Sequence, residues 1–206
     1  MLGNDDLTEG IFSRAVLTST EFRRAKLPRA KLDQTEISFT RFEDADLSGA
    51  DLSKAVGWRV DFSRAKMEGV NFSGADLSRA LFVDAKARTA SFSTAEVSRA
   101  DFSRADLTGA DFSKAEVTRA VFRDANIAGV SFNYSYLGRA NLDRLDLPGV
   151  DLTGAYLFQT QLKGTDLSRA FRLTRDQLSL ACGTTDTKLR AGMEQPDTWP
   201  CAAEAD

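Results

Sequence analysis

The chain has 206 residues, of which 42% are hydrophobic, and it contains no apolar run long enough to span a bilayer. Its 27 basic and 30 acidic residues give a net charge of −3, which indicates neither a basic nucleic-acid binder nor a strongly acidic mimic. We therefore expect a soluble domain with no direct nucleic-acid partner and no membrane partner.

A large apolar residue recurs at every fifth position, in unbroken phase from Leu7 to Leu167. Only Gly57 and Ala87 lack a large side chain at these positions. A helix stripe repeats at about 3.6 residues and a strand face at about 2.0, so neither explains a period of five. The period predicts a repeat architecture. No capping segment precedes it, and we expect an N-terminal end that is either frayed or missing a preceding segment.

The repeated unit reads A-[DN]-[LF]-[ST]-[RG], as in Ala45–Gly49, Ala75–Arg79 and Ala105–Gly109. In this unit the chain resembles the pentapeptide-repeat family over roughly residues 5 to 171. The resemblance implies an all-β fold, a right-handed quadrilateral β-helix with four pentapeptides per coil and one on each face. It also implies that the large residue, and the small residue two places before it, point inward. It says much less about function, because one fold serves several roles.

If a coil holds 20 residues, positions 20 apart stack in columns. Two opposite inward columns are then rich in phenylalanine, one from Phe22 to Phe122 and one from Phe72 to Phe132. At the ~4.8 Å spacing of neighbouring strands, about eight coils give a rod roughly 40 Å long. We assign residues 1–171 to this solenoid.

Two outward patterns accompany these columns. Glycine recurs two places after the large residue, where a type II turn requires a positive φ; the positions are Gly49, Gly69, Gly109, Gly129 and Gly149. At a neighbouring corner arginine and aspartate alternate in register, which predicts a ladder of surface ion pairs; its members are Arg24, Asp44, Arg64, Asp84, Arg104, Asp124 and Arg144.

One outward column contains arginine with no acidic residue between its members. This arginine column consists of Arg59, Arg79, Arg99, Arg119 and Arg139. Like charges at this spacing repel, so something should offset them. Asp76, Glu96 and Glu116 lie on the same face and are one source of compensation. The other interpretation is a surface that binds an anion or an acidic partner.

Aromatic residues at outward positions of the same face favour a binding surface. They are Phe39, Trp58, Tyr136, Tyr156 and Phe158. Arginine together with tryptophan and tyrosine is typical of interaction hot spots. The alternative is that the C-terminal tail folds back and covers these rings, since burying such a patch is favourable. Gly57 leaves a gap in the core beside them, which Val60 refills unless Trp58 turns inward.

The period ends at Ala170, and a helix signal follows. Thr174 and Gln177 form a capping box, and Leu173 with Leu178 a hydrophobic staple, which predicts a short helix near residues 175–182. We expect residues 172–206 to form this helix and an irregular tail that together cover the open end of the solenoid.

Cys182 and Cys201 both lie in this C-terminal segment. A disulfide between them would suit an exported protein and free thiols a cytoplasmic one, and the sequence leaves both open. Because no export signal is visible, we expect a cytoplasmic protein, with a periplasmic or exported location as the alternative.

The sequence offers no catalytic constellation. It has no histidine, and it shows no phosphate-binding loop or nucleophile elbow. We expect no catalytic, cofactor-binding or metal-binding residues. Two functions remain: a rigid scaffold for an unknown protein partner, and a DNA-mimicking, gyrase-binding protein of quinolone resistance. The second follows from a subset of the family, whose members also pair through their C-terminal ends. The balanced charge and the arginine column depart from that subset.

Overall fold

The computed structural model describes residues 2–201 as a stack of four-sided coils. Between Asp6 and Phe171, bridging residues pair in parallel with the residue 20 positions away, as in Asp6 with Lys26 and Asp46 with Lys66. The β-structure of residues 2–201 consists of such isolated bridges, five residues apart, without extended strands. This 20-residue register confirms the predicted quadrilateral β-helix and its stacked columns.

A turn closes every five-residue unit. In one unit the Ala30 amide donates to the Leu27 carbonyl at 3.1 Å, while the Leu27 amide donates to Asp46 of the next coil at 2.7 Å. From Asn4 to Gly164 the third residue of each turn adopts a positive φ, which is 66° at Gly49 but also 58° at Thr94. The glycine prediction is therefore confirmed, and the same left-handed conformation is imposed on many other residue types. The hydrogen bonds to the next coil explain how these residues are held there.

The core is a continuous column of side chains inside the rod. Phe102 is fully buried, and its ring stacks on Phe82 with centroids 4.7 Å apart. Rings of the two phenylalanine columns also meet edge to face, as in Phe82 and Phe92 at 5.5 Å. Phe82 and Phe102 thus pack both along the rod and across it, in the two geometries that aromatic pairs prefer.

The gap at Gly57 is filled by its neighbours. A Cβ atom at Gly57 would lie 2.6 Å from Val60 Cγ2 and 2.8 Å from Ile37 Cγ1, so no space remains for a side chain. Trp58 points outward and is 39% exposed. The compensation by Val60 is confirmed, and Trp58 does not turn into the core.

The first coil is in register from its start. The Leu2 amide donates to the Glu21 carbonyl at 2.9 Å, and the Asn4 amide donates to the Arg23 carbonyl at 3.0 Å. These bonds tie the first described residues to the second coil, and the expectation for the N-terminal end stays a prediction.

The helix α1 spans Arg175–Leu180 and begins with the predicted capping box. The Gln177 amide donates to Thr174 Oγ1 at 3.2 Å, and the Thr174 amide donates to Gln177 Oε1 at 2.9 Å. The helix ends two residues before the predicted residue 182, because Ala181 is extended and Cys182 pairs with Gln161 of the last coil. Within residues 2–201 no helix is long and apolar enough to cross a membrane.

The chain after α1 returns to the solenoid. Cys182 and Lys188 each bridge to the coil before them, and Cys182 forms a disulfide with Cys201. Trp199 packs against Gly183, where a Cβ atom would lie 2.3 Å from its ring. The boundary between residues 1–171 and 172–206 stays a prediction, and residues 202–206 lie outside the described part of the chain.

Candidate interaction face

The arginine–aromatic face is the side of the rod that carries the arginine column and the five aromatic residues named with it. Its inward residues include Leu77, Val97 and Val117, which are fully buried. The residue before each of these, and the two residues after it, point outward because the backbone turns immediately past the core residue. Each outward position of this face therefore recurs once in every coil, directly above the equivalent residue of the previous coil.

The exposed rings form two groups on this face. Near the N-terminal end, Phe39 meets Trp58 edge to face at 5.2 Å, and the Arg59 guanidinium lies 4.5 Å from the centroid of the Trp58 ring. The guanidinium of Arg79 lies 5.9 Å from the same centroid. Trp58 therefore supplies a cation–π contact to two members of the arginine column.

The second aromatic group lies near the C-terminal end. The centroid of the Tyr156 ring lies 6.1 Å from the ring centroids of both Tyr136 and Phe158. The exposed fractions are 55% for Tyr136, 45% for Tyr156 and 41% for Phe158. The tail packs beside α1, with Trp199 Nε1 donating to the Ala181 carbonyl at 2.7 Å, and its Pro200 and Cys201 line a separate depression that also contains Arg119 and Arg139. As far as Cys201, then, the tail does not cover these rings.

The acidic residues of the face do not pair with the arginine column. Among residues 2–201, no carboxylate lies within ion-pair distance of Arg59, Arg79, Arg99 or Arg119. Their acidic neighbours accept hydrogen bonds from hydroxyl groups instead. Ser78 Oγ donates to Asp76 at 2.9 Å and to Glu96 at 3.2 Å, and Thr118 Oγ1 donates to Glu116. No ion pair joins these three acidic residues to the column among residues 2–201, and the expectation that their charge offsets it stays a prediction. Arg139 differs, since its Nε donates to Gln159 Oε1 at 2.7 Å.

The corner where arginine and aspartate alternate shows what paired arginines look like here. Arg64 donates from Nε and Nη2 to the two carboxylate oxygens of Asp44, at 2.8 and 2.9 Å. Arg104 holds Asp84 in the same way, with both distances at 2.8 Å. These hydrogen bonds lower the pKa of both aspartates below their ordinary value. The predicted ladder thus contains two separate bidentate pairs.

A groove runs along the C-terminal half of the face. It encloses about 460 Å³, with Tyr136, Tyr156 and Phe158 among its lining residues. The arginines Arg99, Arg119 and Arg139 line it as well, and Ser98, Thr118 and Gly138 complete it. The predicted residues of this half of the face are therefore brought together, whereas Phe39, Trp58, Arg59 and Arg79 lie outside the groove. Gly138 was missed in the sequence, although a glycine in a column of serine and threonine marks it.

No group of three potential metal-ligating side chains was found among residues 2–201. Both cysteines of the sequence are joined in the Cys182–Cys201 disulfide, at the end of the rod and outside the groove described above.

The geometry is that of a four-sided β-solenoid built from five-residue units. Two family sequence models match it, one described as a pentapeptide repeat region over residues 58–132 and one as pentapeptide repeats over residues 135–171. Together the two matches span more than half of the chain. The chain belongs to the pentapeptide-repeat family.

Similar folds occur among solved structures, whereas no curated protein matches the chain. HetL of the cyanobacterium Nostoc sp. strain PCC 7120, involved in heterocyst differentiation regulation, is 26% identical with a TM-score of 0.45, covering 91% of this chain and 86% of its own. A trypsin-treated form of QnrB1, a plasmid-mediated fluoroquinolone resistance protein, is 19% identical with a TM-score of 0.50 over 91% and 88%. A pentapeptide repeat protein of the Arabidopsis thaliana thylakoid lumen is 29% identical with a TM-score of 0.23 over 71% and 80%. The likeness to QnrB1 supports the fold alone.

Proposed function

We propose that the chain is a non-enzymatic, rigid scaffold of about eight coils that binds a protein partner through the arginine–aromatic face. The observation that carries this proposal is that the guanidinium groups of Arg99 and Arg119 have no carboxylate partner among residues 2–201. Both are exposed, and acidic residues lie beside them. Other arginines of the rod, such as Arg64 and Arg104, are paired bidentately.

Unpaired guanidinium groups beside exposed rings suit a protein surface that carries carboxylates. The arginines supply oriented, charge-assisted hydrogen bonds, and the rings supply apolar area that is buried on contact. A rod with a fully packed core changes little in shape when it binds, so it holds these groups in fixed positions. Specific recognition then depends on the spacing of the column.

The test is capture of partners from a lysate by the wild type and by an Arg99→Glu/Arg119→Glu variant. Both residues point outward, so we expect the variant to fold normally and to lose the acidic partners. The matched control is Arg14→Glu/Arg123→Glu, which makes the same change of charge on other faces of the rod. Identical partners for all three proteins would contradict the proposal.

Binding of DNA gyrase is the alternative that the family resemblance raises. The similarity in fold to QnrB1 is the only support for this alternative, and a shared fold does not establish a shared function. We expect no effect of the purified chain on gyrase supercoiling, because its acidic and basic residues are nearly balanced. Protection of gyrase from a fluoroquinolone would establish the alternative instead.

The disulfide bears on the location of the protein, and an exposed ring near the C-terminal segment bears on its self-association. A Cys182–Cys201 bridge is kept in an oxidising compartment, which favours the exported alternative over a cytoplasmic location. Alkylation of both thiols in freshly lysed native cells would contradict the exported location.

A second copy of the chain is another candidate partner, through a homodimer at the C-terminal end, where Phe171 is 59% exposed. Light scattering tests for this homodimer.

A further inference from the structure

Gly138 lies at the centre of the groove on the arginine–aromatic face, and nothing in the fold requires a glycine there. Its φ lies outside the left-handed region, unlike that of Gly149. A Cβ atom at Gly138 would meet only the Phe158 carbonyl oxygen and Thr118 Oγ1, both at 3.8 Å, which is ordinary contact. The missing side chain therefore leaves space that the chain could fill without strain.

That space has two chemically different sides. The rings of Tyr136, Tyr156 and Phe158 provide apolar surface, and the guanidinium groups of Arg99 and Arg119 provide positive charge. A groove of about 460 Å³ is large enough to take a side chain of the size of phenylalanine. A ligand that fills it must therefore combine a large apolar group with negative charge close to it.

We propose that this groove, which we call the Gly138 pocket, receives a large apolar side chain from an acidic segment of the partner protein. Carboxylates that flank this side chain pair with Arg99 and Arg119. The inference rests on the proposed function, and it adds the chemistry of the partner and the position of its anchor. Charge complementarity supports it, because no carboxylate among residues 2–201 lies within ion-pair distance of Arg99 or Arg119.

The probe is a fluorescent synthetic peptide with a central phenylalanine flanked on both sides by glutamates. We expect it to bind the full-length chain, as measured by fluorescence anisotropy. Gly138→Leu fills the pocket and should weaken binding at least about tenfold. Ala128→Leu is the matched control, because it enlarges an outward residue on the opposite face of the rod, and it should bind as the wild type does. A peptide with alanine in place of phenylalanine should also lose at least about tenfold.

Several results would overturn the pocket. One is a Gly138→Leu variant that binds the peptide as tightly as the wild type, another is a wild type that does not bind it, and a third is tighter binding of single-stranded oligothymidine. If Gly138→Leu fails to fold, as checked by circular dichroism, Tyr156→Ala removes one wall of the pocket and should weaken the same peptide.

The captured partners separate this inference from the proposed function. If Arg99→Glu/Arg119→Glu loses a partner that Gly138→Leu retains, the face binds protein but the pocket does not anchor it. If both variants keep every partner, the proposed function fails and the pocket fails with it.

Discussion

Single residues in this rod carry a conformational cost that the repeat imposes. Thr94 is β-branched, yet its φ is 58°, a region that such residues rarely adopt. Its amide is held by a 2.9 Å bond to the Ser113 carbonyl of the next coil, so the turn cannot relax. The cost is local, because each turn contacts chiefly the equivalent turns of adjacent coils.

Asparagine tolerates this conformation much better than threonine does. We therefore expect Thr94→Asn to raise the free energy of unfolding by about 0.5–1 kcal/mol. Urea unfolding of the two proteins measures the difference. The control is Ser93→Asn, the preceding position, where φ is not positive and no gain is expected. A destabilised Thr94→Asn would contradict this explanation.

Individual residues also show which features could be predicted from the sequence. The period of five predicted a repeat architecture, the resemblance to the pentapeptide-repeat family implied the β-helix, and the glycine two places after Leu47 indicated turns with a positive φ. The hydrogen bonding of Glu96 could not be predicted in the same way. The register places both serine and arginine positions on the same face as Glu96, and side-chain rotamers decide that Ser78 donates to it. The groove at Gly138 also depends on side-chain geometry.

At the scale of an element, the corner where arginine and aspartate alternate makes the free energy of unfolding depend on pH. Hydrogen bonds from Arg104 lower the pKa of Asp84 below its ordinary value of 3.8. Because the folded pKa is the lower one, the stabilisation is fully present above the unfolded pKa and is lost as pH falls through the folded value. The pair is exposed, so the effect is small and screened by salt.

We expect the stability difference between the wild type and Asp84→Asn to shrink as pH falls from about 7 to below about 3. The measurement is the urea midpoint of both proteins across this range at low ionic strength. Asp124→Asn is the control, because no ion pair of Asp124 with an arginine is found among residues 2–201. A difference that stays constant with pH would contradict the assignment of the pair.

The C-terminal segment makes specific hydrogen bonds to the last coils. Gln177 Nε2 donates to the Leu152 carbonyl at 2.7 Å and to the Ala155 carbonyl at 2.9 Å, and Leu178 is fully buried. Backbone carbonyls at the end of a solenoid are otherwise open to another chain. The side chain of Gln177 occupies two of them.

Deleting residues 172–206 should therefore expose these carbonyls and promote self-association, which light scattering would detect. The matched control is Cys182→Ser/Cys201→Ser, which removes the covalent link but keeps α1 and its contacts. We expect the control to stay in the state of the wild type. A truncated rod that remains monomeric and equally soluble would show that the segment is not a cap.

At the scale of the whole molecule, the 20-residue register ties the length of the rod to its angular phase. Every column repeats after four units, so adding one unit advances all later residues by a quarter turn about the axis. The core would accept such an addition, since each face takes a large apolar residue. The outer surface would not, because residues that share a face would then lie on neighbouring faces.

We therefore expect two insertions after Ala100 to differ. Repeating residues 81–100 lengthens the rod and keeps Arg79 and Arg119 on one side, whereas repeating residues 96–100 alone rotates Arg119 and Tyr136 away from Arg79. Both variants should fold, with equal circular dichroism. A partner that contacts both aromatic groups should bind the variant with the 20-residue insertion and should lose binding to the variant with the five-residue insertion. Binding retained by both variants would restrict the contact to one aromatic group. Rods of this kind can thus vary freely in length only in whole turns.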